Sequence, residues 1–110
     1  MNRRSSGAAF WVYVVELDPE AFDFAGPGVV YVGETSSSPE ERLAKHLAGG
    51  ITSSRIVTQY GLRLRKDLAP PKPFGTREDA QLVEYLTAVV LRAKGYVVYG
   101  GQGRPFMADR

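Results

Sequence analysis

A chain of 110 residues, 44% hydrophobic and 24% charged, has the composition of one small globular domain with a single modest core. The absence of cysteine excludes a disulfide framework, a thiolate metal site and a cysteine nucleophile, and a lone histidine disfavours structural zinc. The net charge of +2 conceals an uneven distribution, because residues 42–77 carry eight basic side chains against Asp67 alone. Such a segment supplies phosphate contacts if folding gathers it on one face, and is ordinary solvated surface if acids fold beside it.

No apolar run approaches the roughly 20 residues that span a bilayer. Arg3 and Arg4 precede an apolar stretch, but that stretch runs into Glu16-Leu17-Asp18-Pro19, which suits a strand and not a signal peptide. A cytoplasmic protein is expected.

Phe10 to Leu17, rich in Val, Tyr and Trp, predicts a first strand. Asp18 to Gly28 carries two prolines and two glycines and reads as a long loop, after which residues 29–33 form a second strand pairing with the first. Ser38-Pro39-Glu40-Glu41 is a strong helix start: Ser38 caps, Pro39 suits the first turn, and Glu41 occupies the capping-box position. That helix continues through Ala48 and stops at Gly49-Gly50. Residues 53–60 suit a short second helix, and Leu62-Arg63-Leu64-Arg65 alternates as a half-buried strand with both arginines on the wet face. A proline-rich loop over 67–75 leads to a helix from about Arg77 to Lys94, and Tyr96 to Tyr99 is a last strand. The order β-β-α-α-β-α-β implies an α+β fold with a small, mainly antiparallel sheet flanked by helices. Residues 1–9 form an extension, 10–101 the domain and 102–110 an irregular tail.

Three features carry chemistry. On the long helix Leu82, Val83, Leu86, Val89, Val90 and Ala93 share one apolar face. Glu84 lies away from it, alone among Ala80, Thr87, Ala88 and Leu91; a carboxylate there suits a metal ligand, a general base or a salt bridge to arginine. On the first helix Arg42 and His46 project from one face beside the stripe of Leu43 and Leu47, so that they could hold a phosphate oxygen and assist a proton. Tyr13 and Tyr31 lie in strands that pairing could bring onto one sheet face, where a phenol near a cation can act as a base. No Walker-type loop is present, and Gly100-Gly101-Gln102-Gly103 has no helix after it.

Taken in order, Trp11-Val12-Tyr13, Tyr31-Val32-Gly33, Arg42, His46 and Glu84 resemble the motifs of the GIY-YIG nuclease domain, over about Phe10 to Gly101. Trp11 stands where the family has its first glycine, and Tyr96 or Tyr99 occupies the region where the family commonly has asparagine. The resemblance implies a divalent-metal-dependent endonuclease that hydrolyses DNA phosphodiester bonds, with Mg²⁺ or Mn²⁺ as cofactor. Glu84 would ligate the metal and Arg42 neutralise charge growing on the phosphate. Tyr13 or Tyr31 would deprotonate the attacking water, with His46 assisting, and Gly33 would let the backbone turn tightly beneath the site. Lys45, Arg55, Arg63 and Arg65 are the expected nucleic-acid contacts, RNA being an alternative to DNA, and a homodimer or partner protein would supply target choice. The competing readings are an inactive nucleic-acid-binding module of the same fold, and a protein-interaction domain using Phe22, Phe24, Phe106 and Met107.

Overall fold

The computed structural model describes residues 8–24 and 26–102, so the expected tail contacts Phe106 and Met107 lie outside the described residues. Seven principal elements follow in chain order: strand β1 (Trp11–Leu17), strand β2 (Val29–Thr35), helix α1 (Pro39–Ala48), helix α2 (Arg55–Tyr60), strand β3 (Gly61–Leu64), helix α3 (Arg77–Ala93) and strand β4 (Val97–Gly100). Two short 3₁₀ turns interrupt that order, at Pro19–Phe22 within the expected first loop and at Lys66–Leu68 after β3. The architecture is α+β.

The four strands form one mixed sheet in the order β3-β1-β2-β4. β1 pairs antiparallel with both β2 and β3, and β2 pairs parallel with β4. Strand alternation divides the core into two layers. On one face Val12, Val14, Val30, Val32 and Val98 pack against Ala80, Ala88 and Leu91 of α3. On the other, Tyr13, Val15, Leu17 and Val29 pack with Val57 of α2 and with Leu43 of α1. Where β1 runs beyond β3, Phe10 and Phe74 close the edge by exchanging backbone hydrogen bonds of 2.9 and 2.8 Å. No helix among the described residues is long and apolar enough to cross a membrane.

Local chemistry sets the helix starts. Ser38 accepts from the Glu41 N–H and the Glu41 side chain accepts from the Ser38 N–H, completing the capping box of α1. Ser54 and Thr76 cap α2 and α3 through their hydroxyls. Arg77 then fixes the start of α3 to the sheet, donating to both carboxylate oxygens of Glu34 at 3.0 and 2.9 Å and lying over the Phe10 ring at 4.9 Å.

Two helices turn differently from their apolar patterns. The buried residues of α3 are Ala80, Ala88 and Leu91, the strip that carries Glu84, while Leu86, Val89 and Val90 of the wide apolar face are exposed. In α1 the buried residue is His46, and Leu47 is exposed. Both departures place polar chemistry inward.

Candidate active site

Antiparallel pairing sets Tyr13 opposite Gly33 and Val15 opposite Tyr31, so both phenols stand on the α1/α2 face, with ring centroids 6.3 Å apart. Gly33 does not make the tight turn that the resemblance implied: it lies inside β2, and its contribution is steric. A Cβ built there would sit 2.5 Å from the Tyr13 hydroxyl, because the Tyr13 ring lies across the bare backbone.

His46 reaches this pair from α1. Its Nε2 lies 2.8 Å from the Tyr13 hydroxyl, and its Nδ1 accepts the backbone N–H of Ser54 at 2.8 Å. An Nδ1 that accepts cannot carry the proton, so the neutral ring is the Nε2–H tautomer and donates to the Tyr13 oxygen. Both ring nitrogens are thus satisfied in a side chain that is fully buried. Protonation would require a hydrogen on Nδ1 pointing into the Ser54 amide. Burial, followed by the charge of Arg42, holds the His46 pKa down at about 4.

Arg42, one turn earlier on α1, donates to the Thr52 carbonyl at 2.7 Å, which ties the loop after α1 to the helix. Its positive charge acts on both phenols. Tyr13 is raised well above the ordinary phenol range, by burial first and then by Tyr31, with Arg42 pulling down. Tyr31 is raised by burial and then by Glu84, while Arg42 and hydrogen bonding from Ser54 and Tyr13 pull it down. Exposure separates the two: Tyr13 is 2% exposed and Tyr31 only half-buried, so Tyr31 is the phenol with solvent access.

Glu84 approaches from the opposite layer. It lies one turn before Ala88, where the chain leaving β4 crosses α3. Gly100 and Gly101 have φ of +73° and +70°, and a Cβ on Gly101 would collide with Ala88, so the crossing needs glycine twice. The Gln102 N–H donates to a Glu84 carboxylate oxygen at 3.2 Å, and the carboxylate is near enough to raise both phenols.

The donor set limits what cation would fit. No group of three or more His, Cys, Asp or Glu side chains gathers among the described residues, and both oxygens of the nearby β2 carboxylate Glu34 are held by Arg77. A hard divalent cation here would take one protein carboxylate, Glu84, and fill its shell with waters and substrate oxygens, as Mg²⁺ commonly does.

The structure therefore brings together Tyr13, Tyr31, Arg42, His46 and Glu84, from β1, β2, α1 and α3. It does not add the β3 arginines to them. Arg63 is directly opposite Glu16 and bonds to it at 2.6 Å, and Arg65 holds Asp67 through two nitrogens at 3.0 and 2.8 Å. By register both point to the α3 face of the sheet, away from the phenols. Lys45 and Arg55 are exposed on α1 and α2, in the same layer as His46. Ser54 and Gln102 are the site residues that sequence reasoning missed; Ser54 had a signal, the capping position before α2, whereas the Gln102 contact is made by backbone and leaves none. A cavity of about 400 Å³ lies beside Trp11, Pro39, Leu64 and Pro70, and of the five grouped residues it touches only Tyr13. Of the group, Tyr13 and His46 are buried, whereas Tyr31, Arg42 and Glu84 are partly exposed.

Comparison with protein-family models, with curated proteins and with solved structures finds no match to this chain.

Proposed function

We propose that the chain is a divalent-metal-dependent endonuclease of the GIY-YIG type, hydrolysing phosphodiester bonds in DNA. The observation that supports this most is the meeting of two phenols, an arginine, a histidine and a carboxylate at one place from four separate elements. The partial exposure of Tyr31, Arg42 and Glu84 also leaves these three within reach of a phosphate on a polymeric substrate.

The roles follow from access. Arg42 binds the non-bridging phosphate oxygens and offsets the charge that grows on them. Tyr31, the phenol with solvent access, acts as the phenolate after losing its own proton to solvent. It accepts one proton of the attacking water as the water oxygen bonds to phosphorus, and the leaving oxygen, released as its bond to phosphorus breaks, takes up a proton from solvent. Tyr13 and His46, both buried, do not touch the water; they hold Tyr31 in place. Glu84 holds the cation. When bound, Mg²⁺ or Mn²⁺ supplies Lewis-acid polarisation of the phosphate and puts positive charge beside Tyr31, where the bare carboxylate raises the phenol. The compartment in keeping with this reading is the cytoplasm.

The test is cleavage of supercoiled plasmid and branched DNA by purified protein, with Mg²⁺, with Mn²⁺ and with EDTA. Metal-dependent nicking is the expected result. Binding that persists without metal and yields no product would replace this reading by that of a binding module. Absence of affinity even at low salt, where phosphate binding is strongest, would favour a protein-interaction domain.

A further inference from the structure

The wide apolar face of α3 turns away from the sheet. Leu86, Val89 and Val90 are 46%, 42% and 50% exposed, and Ala93 is exposed in line with them. At 100° per residue these side chains, with Leu82, form a continuous stripe along the 17 residues of α3, opposite the strip holding Ala80, Glu84, Ala88 and Leu91. A groove of about 340 Å³, lined by Leu68, Pro70, Leu86 and Val90, widens the stripe on one side.

We infer that this face pairs with the same face of a second copy of the chain, the two α3 helices running antiparallel about a two-fold axis at Leu86. The charges along α3 select that occupant. Acids stand at its start, Glu78 and Asp79, and bases at its end, Arg92 and Lys94. With Leu86 on the axis, Leu82 lies level with Val90 of the copy. Asp79 lies between Leu86 and Val90 and Lys94 just beyond Val90, while Glu78 and Arg92 lie on the Val89 side. Antiparallel pairing therefore brings each acid near the opposite charge of the copy, Arg92 keeping its own bond to the Val98 carbonyl. Such self-complementarity is what an isologous interface requires. A parallel pair would set like charges together. Because Glu84 is on the far side of the helix, pairing leaves both copies' phenol and carboxylate groups facing outward.

Sedimentation velocity over a range of concentrations tests this, with the fold followed by circular dichroism. Wild type is expected to dimerise reversibly. Leu86→Glu, which places two carboxylates at the axis, should stay folded and weaken the dimer at least about tenfold. Lys94→Asp and Asp79→Lys should each weaken it, and the double exchange should restore it. Since the chain has no cysteine, Leu86→Cys supplies a single thiol that should cross-link to its own copy on mild oxidation, whereas Arg55→Cys should not. A monomer at every concentration, a dimer indifferent to Leu86→Glu, or a charge exchange that fails to restore pairing would each overturn the inference.

Discussion

Burying the only histidine while the neighbouring Leu47 stays outside would cost stability if either ring nitrogen lacked a partner. The Ser54 amide and the Tyr13 hydroxyl supply one partner each and fix the proton on Nε2. The histidine is therefore a hydrogen-bond donor to Tyr13, not a base that removes its proton. The same arrangement makes stability depend on pH. The His46 pKa is lowered from 6.5 to about 4 on folding, so below 6.5 the unfolded chain binds the extra proton and the folded one does not. Stability contributed by the neutral ring is complete above pH 6.5 and is lost as pH falls toward 4, by up to about 3 kcal/mol at about 1.4 kcal/mol per unit. Urea unfolding between pH 4 and 7 should show this slope in wild type, and a folded His46→Gln variant should show less of it. Equal slopes in the two proteins would contradict the assigned tautomer and burial.

Elements differ in how much of their placement is local. The start of α1 was legible because Ser38, Pro39 and Glu41 act within one turn, and the structure uses them as read. The orientation of α3 was not legible, since it is decided by fit to the sheet. Ala80 and Ala88 let the helix approach closely, and Ala88 lies against Gly101, where the wider Leu86 face could not enter. Hydrophobic periodicity registers how apolar a face is and not how near the partner backbone must come. The same blindness affected Gly33, whose value to the site depends on a ring from the neighbouring strand. Gly33→Ala should displace the Tyr13 hydroxyl from His46 and cost roughly 1–3 kcal/mol, the usual range for overpacking. Denaturant titration with imidazole ¹⁵N NMR checks both effects, and an unchanged His46 signal would show that the ring does not depend on the bare backbone. Tyr13, Tyr31, Arg42, His46 and Glu84 were readable as an ordered set; of the backbone donors, Ser54 showed only as a capping residue and Gln102 not at all, because an amide has no sequence signature.

Across the whole molecule, the basic middle segment divides in two. Arg63, Arg65, Lys66 and Arg77 form ion pairs with Glu16, Asp67, Glu40 and Glu34, so acids from the other parts of the chain and Asp67 itself offset half of its eight positive charges. Lys45 and Arg55 remain on the layer that carries His46, together with Arg42. If DNA lies across the grouped residues, Lys45→Ala and Arg55→Ala should each weaken binding and lower its salt dependence by about one phosphate contact. Arg63→Ala, on the other face, should leave affinity unchanged. Fluorescence anisotropy at several salt concentrations separates these cases, and equal losses from all three would place the DNA elsewhere.

The proposed metal-dependent cutting site of Glu84 and the phenols stands or falls on the single-turnover nicking rate of Glu84→Gln against wild type in Mg²⁺. The substitution keeps the shape and an acceptor for the Gln102 amide while removing the charge a cation needs. The variant is expected to fold and its rate to fall at least about a hundredfold, a loss of roughly 2.7 kcal/mol or more in transition-state stabilisation. Cutting by Glu84→Gln at the wild-type rate would contradict it.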